Sequence, residues 1–288
     1  MIAIFKREMR SYFHNVIGFV FLALLLLAAG AFCTIFNVIL GSAHFEDAMY
    51  YMQLALIIVI PLLTMRAMTE ERRSRTDQLL YSLPVPLYKI VLGKYLAMVV
   101  MLGLGCLIIA VYPLILIMFG MTGLATAYAT LFGLFLLGAA LIAFCMFLSS
   151  MTENQLIAMV LCIVGVLALF LVDTFVAYFT SVGALLSFVV LIILALLAAL
   201  GVYGLTQNAW LSGLIALLGV FPQIIVFVIN PALYDGLLYR VLSSLSLFYR
   251  YTVFSSGVFD LTTTVYDISF AALFVFMTWL VMDKRRRA

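Results

Sequence analysis

The segment from Tyr95 to Tyr239 contains neither lysine nor arginine. A water-soluble domain would carry such charges throughout, since roughly a quarter of the residues of soluble domains are charged and about half are apolar. Across the whole chain, 67% of the 288 residues are hydrophobic and 9% are charged. In lipid the backbone must satisfy its own hydrogen bonds, which favours helices over open strands. The composition therefore excludes a soluble globular protein and predicts an all-α, polytopic integral membrane protein.

Apolar runs long enough to cross a bilayer occur eight times, since a spanning helix needs about 20 mostly apolar residues. Pro113, in the third run, predicts a kink there. No low-complexity tract or long linker divides the chain. We therefore predict about eight transmembrane helices in a single transmembrane domain, residues 1–288. The predicted spans cover residues 16–36, 50–68, 90–119, 124–149, 155–178, 183–203, 210–229 and 265–282.

The fifteen basic residues form three main groups, and an even number of spans places these groups on one side of the membrane. Three residues precede the first span, six lie between Arg66 and Lys94, and four form the C-terminal run 284–287. Short loops rich in lysine and arginine face the cytoplasm. The distribution predicts that both termini are cytoplasmic and that only Arg240 and Arg250 lie on the other side.

Two segments have the pattern of amphipathic helices that lie along a membrane surface. Residues 1–15 combine apolar and basic side chains at helical spacing, which is typical of a cytoplasmic interfacial helix. Residues 231–260 repeat apolar side chains every three or four positions, with Arg240 and Arg250 on the opposite face. We predict that this second segment is external.

The sequence from Thr69 to Lys94, here called the polar island, places five basic residues between two long apolar runs. Thr69 is suited to cap a helix, acids favour the first turn of a helix, and Pro84 would end one. The pattern predicts a short helix over residues 69–83. Its candidate partner-binding residues are Glu70, Glu71, Arg72, Arg73, Arg75, Thr76, Asp77, Leu79, Leu80 and Pro84.

The mixed charges of the polar island favour a protein partner over lipid. Basic residues alone would bind anionic headgroups at about 1 kcal/mol each, but such lipid repels the interleaved acids. Arginine pairs with carboxylates in a forked geometry, and a leucine pair supplies an apolar anchor. A second, smaller contact on the same side is predicted at Glu153, Asn154 and Gln155, and helix capping alone accounts for these residues equally well.

The chain offers little for catalysis or cofactor binding. Its four cysteines stand singly in apolar runs, which indicates packing and not a disulfide or zinc site. The sequence lacks the phosphate-binding pattern GxxxxGK[ST] and therefore has no P-loop for ATP. We predict a non-catalytic protein with no metal site and no cofactor of its own.

Two other functions are considered. A membrane-embedded, lipid-modifying enzyme would need acids, histidines or a metal gathered at a membrane face. An ion-coupled secondary transporter would need ionisable residues at mid-depth in the spans. The apolar runs offer almost no such residues.

The polar island resembles the loop between spans two and three of ABC type-2 transporter permeases. Phe5-Lys6-Arg7-Glu8, ahead of the first span, also fits this family. The run Gly257-Val258-Phe259-Asp260-Leu261 is similar to the subgroup that contains the gliding-motility-associated and nitrous-oxide-reductase maturation permeases. Within the polar island, the matching residues are Glu71-Arg72, Thr76, Leu79-Leu80, Leu83-Pro84-Val85 and Leu92-Gly93-Lys94.

The resemblance implies an exporter permease in the cytoplasmic (inner) membrane of a prokaryote. The polar island would be a coupling helix seated in a groove of a separate ABC ATPase subunit, and that subunit would hold ATP and Mg²⁺. The family core has six spans, so residues 183–229 would be an added hairpin. A second copy or a sibling permease would complete the complex, and no nucleic-acid partner is expected.

Overall fold

The computed structural model confirms the all-α prediction. It describes residues 2–73, 86–120, 123–178, 184–206, 209–234, 239–240, 243–244 and 246–287. A π-helical turn, Thr34–Ile39, continues α2, and a 3-10 helix, Pro231–Tyr234, follows α9. In these ranges the helices are α1 (Ile2–His14), α2 (Val16–Cys33), α3 (Phe45–Arg73), α4 (Leu87–Ile109), α5 (Tyr112–Ile117), α6 (Leu124–Ser150), α7 (Gln155–Tyr178), α8 (Ala184–Thr206), α9 (Ala209–Ile229), α10 (Leu247–Ser255) and α11 (Leu261–Arg287).

Six helical stretches of the described residues are long and apolar enough to cross a membrane. The chain is therefore a multi-pass membrane protein. Helices α8 and α9, with 23 and 21 residues, coincide with the two remaining predicted spans, and their crossing of the membrane stays a prediction. The six stretches are Val16–Ile39, Phe45–Glu70, Leu87–Ile117, Leu124–Ser150, Gln155–Val172 and Leu261–Lys284.

The chain divides into two compact units. Unit 1 consists of Met1–Leu169 and Leu247–Ala288, and unit 2 is Phe170–Ser246. In unit 1, α6 packs against both α3 and α11. In unit 2, α8 and α9 pack against each other, and the rings of Phe188 and Phe227 stack with their centroids 4.2 Å apart. The prediction of one transmembrane domain stays a prediction.

Two glycines let neighbouring side chains approach α6 closely. A Cβ atom on Gly133 would meet the ring of Phe254 at 2.5 Å, and one on Gly138 would meet a methyl group of Leu102 at 2.5 Å. Small residues commonly allow such close contact between helices in membranes. The centre of unit 1 therefore depends on the absence of a side chain at both positions.

The third span is broken where Pro113 predicts a kink. Helix α4 ends at Ile109, and α5 begins at Tyr112 with Pro113 in its first turn. Proline lacks the N–H that would bind the carbonyl four residues earlier, and its ring crowds the preceding turn. The Tyr128 hydroxyl of α6 donates to the Ala110 carbonyl at 3.2 Å, so a carbonyl at the break has a partner. The helix is therefore interrupted next to Pro113, where the sequence predicted a kink.

Helix α3 extends beyond the predicted span 50–68 at both ends. It runs without interruption from Phe45 to Arg73, and Pro61 lies inside it. One turn from Pro61, the Thr64 hydroxyl donates to the Ile60 carbonyl at 3.1 Å. A single helix therefore joins the two ends of unit 1.

The segment predicted as external and amphipathic, residues 231–260, is described only in part. The Tyr251 hydroxyl donates to the Met49 carbonyl at 2.9 Å, and the Thr130 hydroxyl donates to the Phe254 carbonyl at 2.9 Å. These bonds attach α10 to the start of α3 and to the first half of α6. The side chains that α10 buries are Leu247, Phe248, Tyr251 and Phe254.

Candidate partner-binding site at the polar island

The polar island begins inside α3 and not with a new helix. The Thr69 hydroxyl donates to the Met65 carbonyl at 2.5 Å, which is the local bond of a threonine inside a helix. The prediction that Thr69 caps a separate helix is therefore wrong. The apolar run ends at Met68. The helix itself continues, because the side chains of the next turn form contacts of their own.

One such contact is an ion pair between Arg66 and Glu70. The Nε and Nη2 atoms of Arg66 donate to Oε2 and Oε1 of Glu70, each at 2.6 Å. Residues four apart lie on the same face of a helix, and two parallel bonds fix the planes of both groups. The Glu70 side chain is 49% exposed. The Glu70 carboxylate is thus held at the surface in the last turns of α3. The sequence predicted it in the first turn of a separate helix over residues 69–83.

Most of the predicted binding residues of the polar island lie outside the described residues. The backbone of Glu71, Arg72 and Arg73 continues α3. The part that these residues play in binding a partner, and a helix that reaches residue 83, stay predictions. The predicted residues outside the description are Arg75, Thr76, Asp77, Leu79, Leu80 and Pro84.

A buried lysine connects the two helices that flank the polar island. Lys94, in α4, is only 2% exposed, and its Nζ atom donates to the Ala67 carbonyl of α3 at 2.6 Å. A hydrogen bond from a charged donor is stronger than one between neutral groups. The bond therefore holds the end of α3 against the start of α4. The sequence pattern marked Lys94 as the end of the polar island and as part of the family resemblance, and it did not predict that this lysine is buried.

Both chain termini meet the start of α4 at this end of unit 1, here called the island end. Leu87 and Ile90 form a small buried cluster, and Ile4 of α1 and Trp279 of α11 pack against it. The N-terminal helix and the basic end of the last helix therefore lie beside the polar island. Of the described basic tail, Lys284 is exposed.

Tyr12 brings α1 close to the ion pair of α3. Burial raises the pKa of the Tyr12 phenol well above its usual range; Glu8 and Glu70 raise it further, while Arg66 lowers it. The phenol therefore stays neutral near physiological pH. A Cβ atom on Gly18 of α2 would collide with the Tyr12 carbonyl oxygen. The corner between α1 and α2 thus requires glycine at this position.

The predicted second contact lies in the turn between α6 and α7. Helices α3 and α6 run in the same direction through unit 1, so this turn is also at the island end. The Asn154 side-chain oxygen accepts the Leu156 N–H at 2.9 Å, and α7 begins at Gln155. Asn154 is therefore a helix cap, while Glu153 is exposed. Contact with a partner stays a prediction.

Among the described residues, no three or more His, Cys, Asp or Glu side chains form a group that could hold a metal ion. The features of the island end are instead an exposed carboxylate, fixed helix ends and exposed polar groups. These features suit recognition of another protein.

Residues 20–208, which include the polar island, match the family model described as ABC-2 family transporter protein. The chain belongs to the ABC-2 transporter family. No curated protein matches the chain closely enough to be called a relative. The protein is thus a membrane permease component of an ABC transporter, a class that is generally non-catalytic and works with an ABC ATPase subunit.

Membership gives the island end of this permease a context. The loop after its second spanning helix is the segment that resembles the coupling helix of such permeases. The Lys94–Ala67 bond and the Arg66–Glu70 pair lie at the base of that loop.

Proposed function

We propose that this permease couples ATP hydrolysis on a separate ABC ATPase to export of a substrate across the cytoplasmic membrane. The observation that carries the proposal is the Lys94–Ala67 bond, which clamps the two helices that leave and re-enter the polar island. A push on the polar island would therefore act on α3 and α4 together. A loop on flexible tethers would instead absorb such a push.

The charge distribution supports a cytoplasmic position for the island end. The polar island, the N-terminal helix and the basic C-terminal tail are neighbours in unit 1, and together they carry most of the basic residues. Loops rich in lysine and arginine face the cytoplasm. Both termini and the ATPase would then be on the cytoplasmic side.

The rest of the proposed complex follows from the same role. ATP and Mg²⁺ would bind the ATPase, and a second permease copy or a sibling would complete the transporter. The run Gly257–Leu261 supports the subgroup of the gliding-motility-associated and nitrous-oxide-reductase maturation permeases.

Ion-coupled transport is a second candidate, and one buried acid favours it. Asp267 of α11 is 4% exposed, and its Oδ1 atom has no hydrogen-bond partner among the described residues. An ionisable side chain within a spanning helix is commonly functional. If an ion gradient drives transport, membrane vesicles without ATP should still transport the substrate, and Asp267→Asn should abolish that transport.

The test of the main proposal is co-purification with the ATPase. The double reversal Arg72→Glu and Arg73→Glu should abolish recovery of a P-loop ATPase with the tagged chain, because it inverts the charges offered to the partner. The matched control is Arg240→Glu, a reversal at an exposed arginine of unit 2, which should leave recovery unchanged.

Membrane insertion of each variant is checked by alkaline extraction. Wild-type recovery of the ATPase with the double reversal would show that the polar island is not the docking site. Purification of the wild-type chain without any nucleotide-binding partner would overturn the proposed function itself.

A further inference from the structure

A polar cavity of about 400 Å³ lies in unit 1 at the end opposite the island end. It is formed by the beginning of α3, the beginning of α6 and the end of α10. Cavities of this size suit small-molecule ligands. The residues that line it are His44, Glu46, Asp47, Gly123, Thr126, Ser255 and Ser256.

Glu46 is the residue of this cavity that most favours a bound ligand. It lies on the buried face of α3 together with Met49 and is only 8% exposed. Its Oε2 atom has no hydrogen-bond partner among the described residues, and the nearest cationic candidate, His44 Nδ1, is 4.0 Å away. A buried carboxylate oxygen without a hydrogen bond is costly, because burial removes the water that would otherwise bind it.

The other carboxylate is held in place by the loop before α3. The Ser42 hydroxyl donates to Asp47 Oδ2 at 2.5 Å. The Asn37 amide donates to the carbonyls of Ser42 and His44, each at 3.0 Å, and so fixes the loop. The wall that carries Glu46 and Asp47 is therefore built without any bond to the Glu46 Oε2 atom.

The hydroxyl groups of the cavity face it mainly as acceptors. Each donates its proton to a nearby backbone carbonyl: Ser255 to Thr252 at 2.8 Å, Ser256 to Val253 at 2.7 Å and Thr126 to Gly123 at 2.6 Å. A hydroxyl that donates in this way keeps lone pairs that can accept. No lysine or arginine is among the described residues that line the cavity.

We propose that this cavity binds a small organic ammonium cation. Two carboxylates with hydroxyl acceptors match a positively charged group that has several N–H donors and no acceptors, as a primary ammonium does. The two carboxylates would repel an anion, and a neutral apolar molecule would leave Glu46 Oε2 without a hydrogen bond. The inference concerns a ligand site and stands apart from the ATPase-docking role of the island end.

The test is calorimetric titration of the full-length chain in lipid nanodiscs with n-butylammonium chloride. Wild-type protein should bind with a saturating heat of binding. Tetramethylammonium has the same charge but no N–H donor, and it should bind about tenfold or more weakly. Calcium chloride is the third probe, and tighter binding of calcium than of butylammonium would replace the ammonium site by a metal site and overturn the proposal.

The variants separate the cavity from general charge effects. Glu46→Gln should weaken butylammonium binding about tenfold or more, because the buried acceptor loses its charge. The matched control is Asp260→Asn, which removes one negative charge near the same end of unit 1 but outside the cavity, and it should bind as wild type does. Size-exclusion profile and helical content confirm that each variant is folded.

Ser256→Ala is a second variant, in case Glu46→Gln does not fold. It removes one acceptor at an exposed position and should weaken binding about fivefold. No binding of butylammonium by wild-type protein, or equal binding by the wild type and both cavity variants, would overturn the proposal.

Discussion

Lys94 and Glu46 are both buried charged residues of unit 1, but they differ in their hydrogen bonds. Lys94 donates to a backbone carbonyl at 2.6 Å, whereas Glu46 Oε2 accepts no hydrogen bond from the described residues. A buried charge with a good hydrogen bond stabilises one arrangement of helices, and a buried oxygen without one is an acceptor for a ligand. Lys94 is therefore a structural clamp, and Glu46 is a candidate binding residue.

Replacing the clamp should destabilise unit 1. We expect Lys94→Met to lower the free energy of unfolding by about 1.5–3 kcal/mol, because a charge-assisted bond between α3 and α4 is lost. The measurement is unfolding of the purified chain in mixed micelles with increasing denaturing detergent, followed by circular dichroism. Lys89→Met, at a less buried position of the same helix, should change it by about 0.5 kcal/mol or less. Equal losses in both variants would contradict the clamp.

The cap of α11 should depend on pH. Asp260 accepts the N–H groups of Thr262 and Thr263 at 3.0 and 3.1 Å. The Thr263 hydroxyl lowers the pKa of this carboxyl most, and the Thr262 N–H lowers it further. Because folding lowers this pKa, the Asp260 carboxylate stabilises the folded protein at pH values above the ordinary pKa of aspartate. This stabilisation is lost as the pH falls through the pKa that Asp260 has in the folded protein.

The comparison that isolates this effect is wild type against Asp260→Asn, since asparagine also caps helices but does not titrate. The wild type should melt at a higher temperature near neutral pH, and the difference should shrink as pH falls below about 4. A difference that persists unchanged in acid would contradict the role of the charge.

At the scale of elements, apolar runs predicted where helices lie but not where they end or which face is buried. Helix α3 continues past its apolar run because Arg66 pairs with Glu70 and Lys94 binds Ala67 from another helix. The Lys94–Ala67 contact joins residues that are far apart in the sequence, so the sequence pattern could not show it. The burial of α10 depends likewise on space left by Gly133, which only the packing of α6 reveals. The kink at Pro113 was predictable because proline acts locally.

The corner between α1 and α2 should tolerate no side chain at Gly18. A Cβ atom there would strike the backbone of Tyr12, which cannot move without displacing α1. We expect Gly18→Ala to cost about 1–3 kcal/mol of stability and to expose α1 to proteolysis. Gly213→Ala is the matched control, because a Cβ atom at Gly213 meets nothing within 4 Å. Equal protease resistance in both variants would show that α1 does not depend on this contact.

At the scale of the whole molecule, the first helix and the end of the last helix meet the start of α4 at one end of unit 1. That this end faces the cytoplasm stays a prediction from the basic residues. Hydropathy could place the helices, and charge could group the loops. Neither could show the cavity around Glu46, because its walls come from three helices far apart in the chain. All the partner-binding residues of the polar island, including Glu70 to Arg73, remain predictions from the sequence.

The proposed orientation predicts the accessibility of engineered cysteines. Arg240→Cys should react with a membrane-impermeant maleimide on intact cells, and Lys284→Cys should react only after permeabilisation. The background should be low, since the four native cysteines are buried. The opposite pattern, or labelling of both positions from one side, would contradict the proposed orientation.

Pro61 gives α3 a position at which bending costs little. Because proline has no N–H to give to the Ile57 carbonyl, bending at this point sacrifices no further hydrogen bond of the helix. From Pro61 to Arg73 the helix is about 18 Å long, so a swing of roughly 10° would carry its Arg73 end about 3 Å. Because Lys94 binds Ala67 within this stretch, α4 would move with the Arg73 end of α3, relative to the part of α3 that carries Glu46.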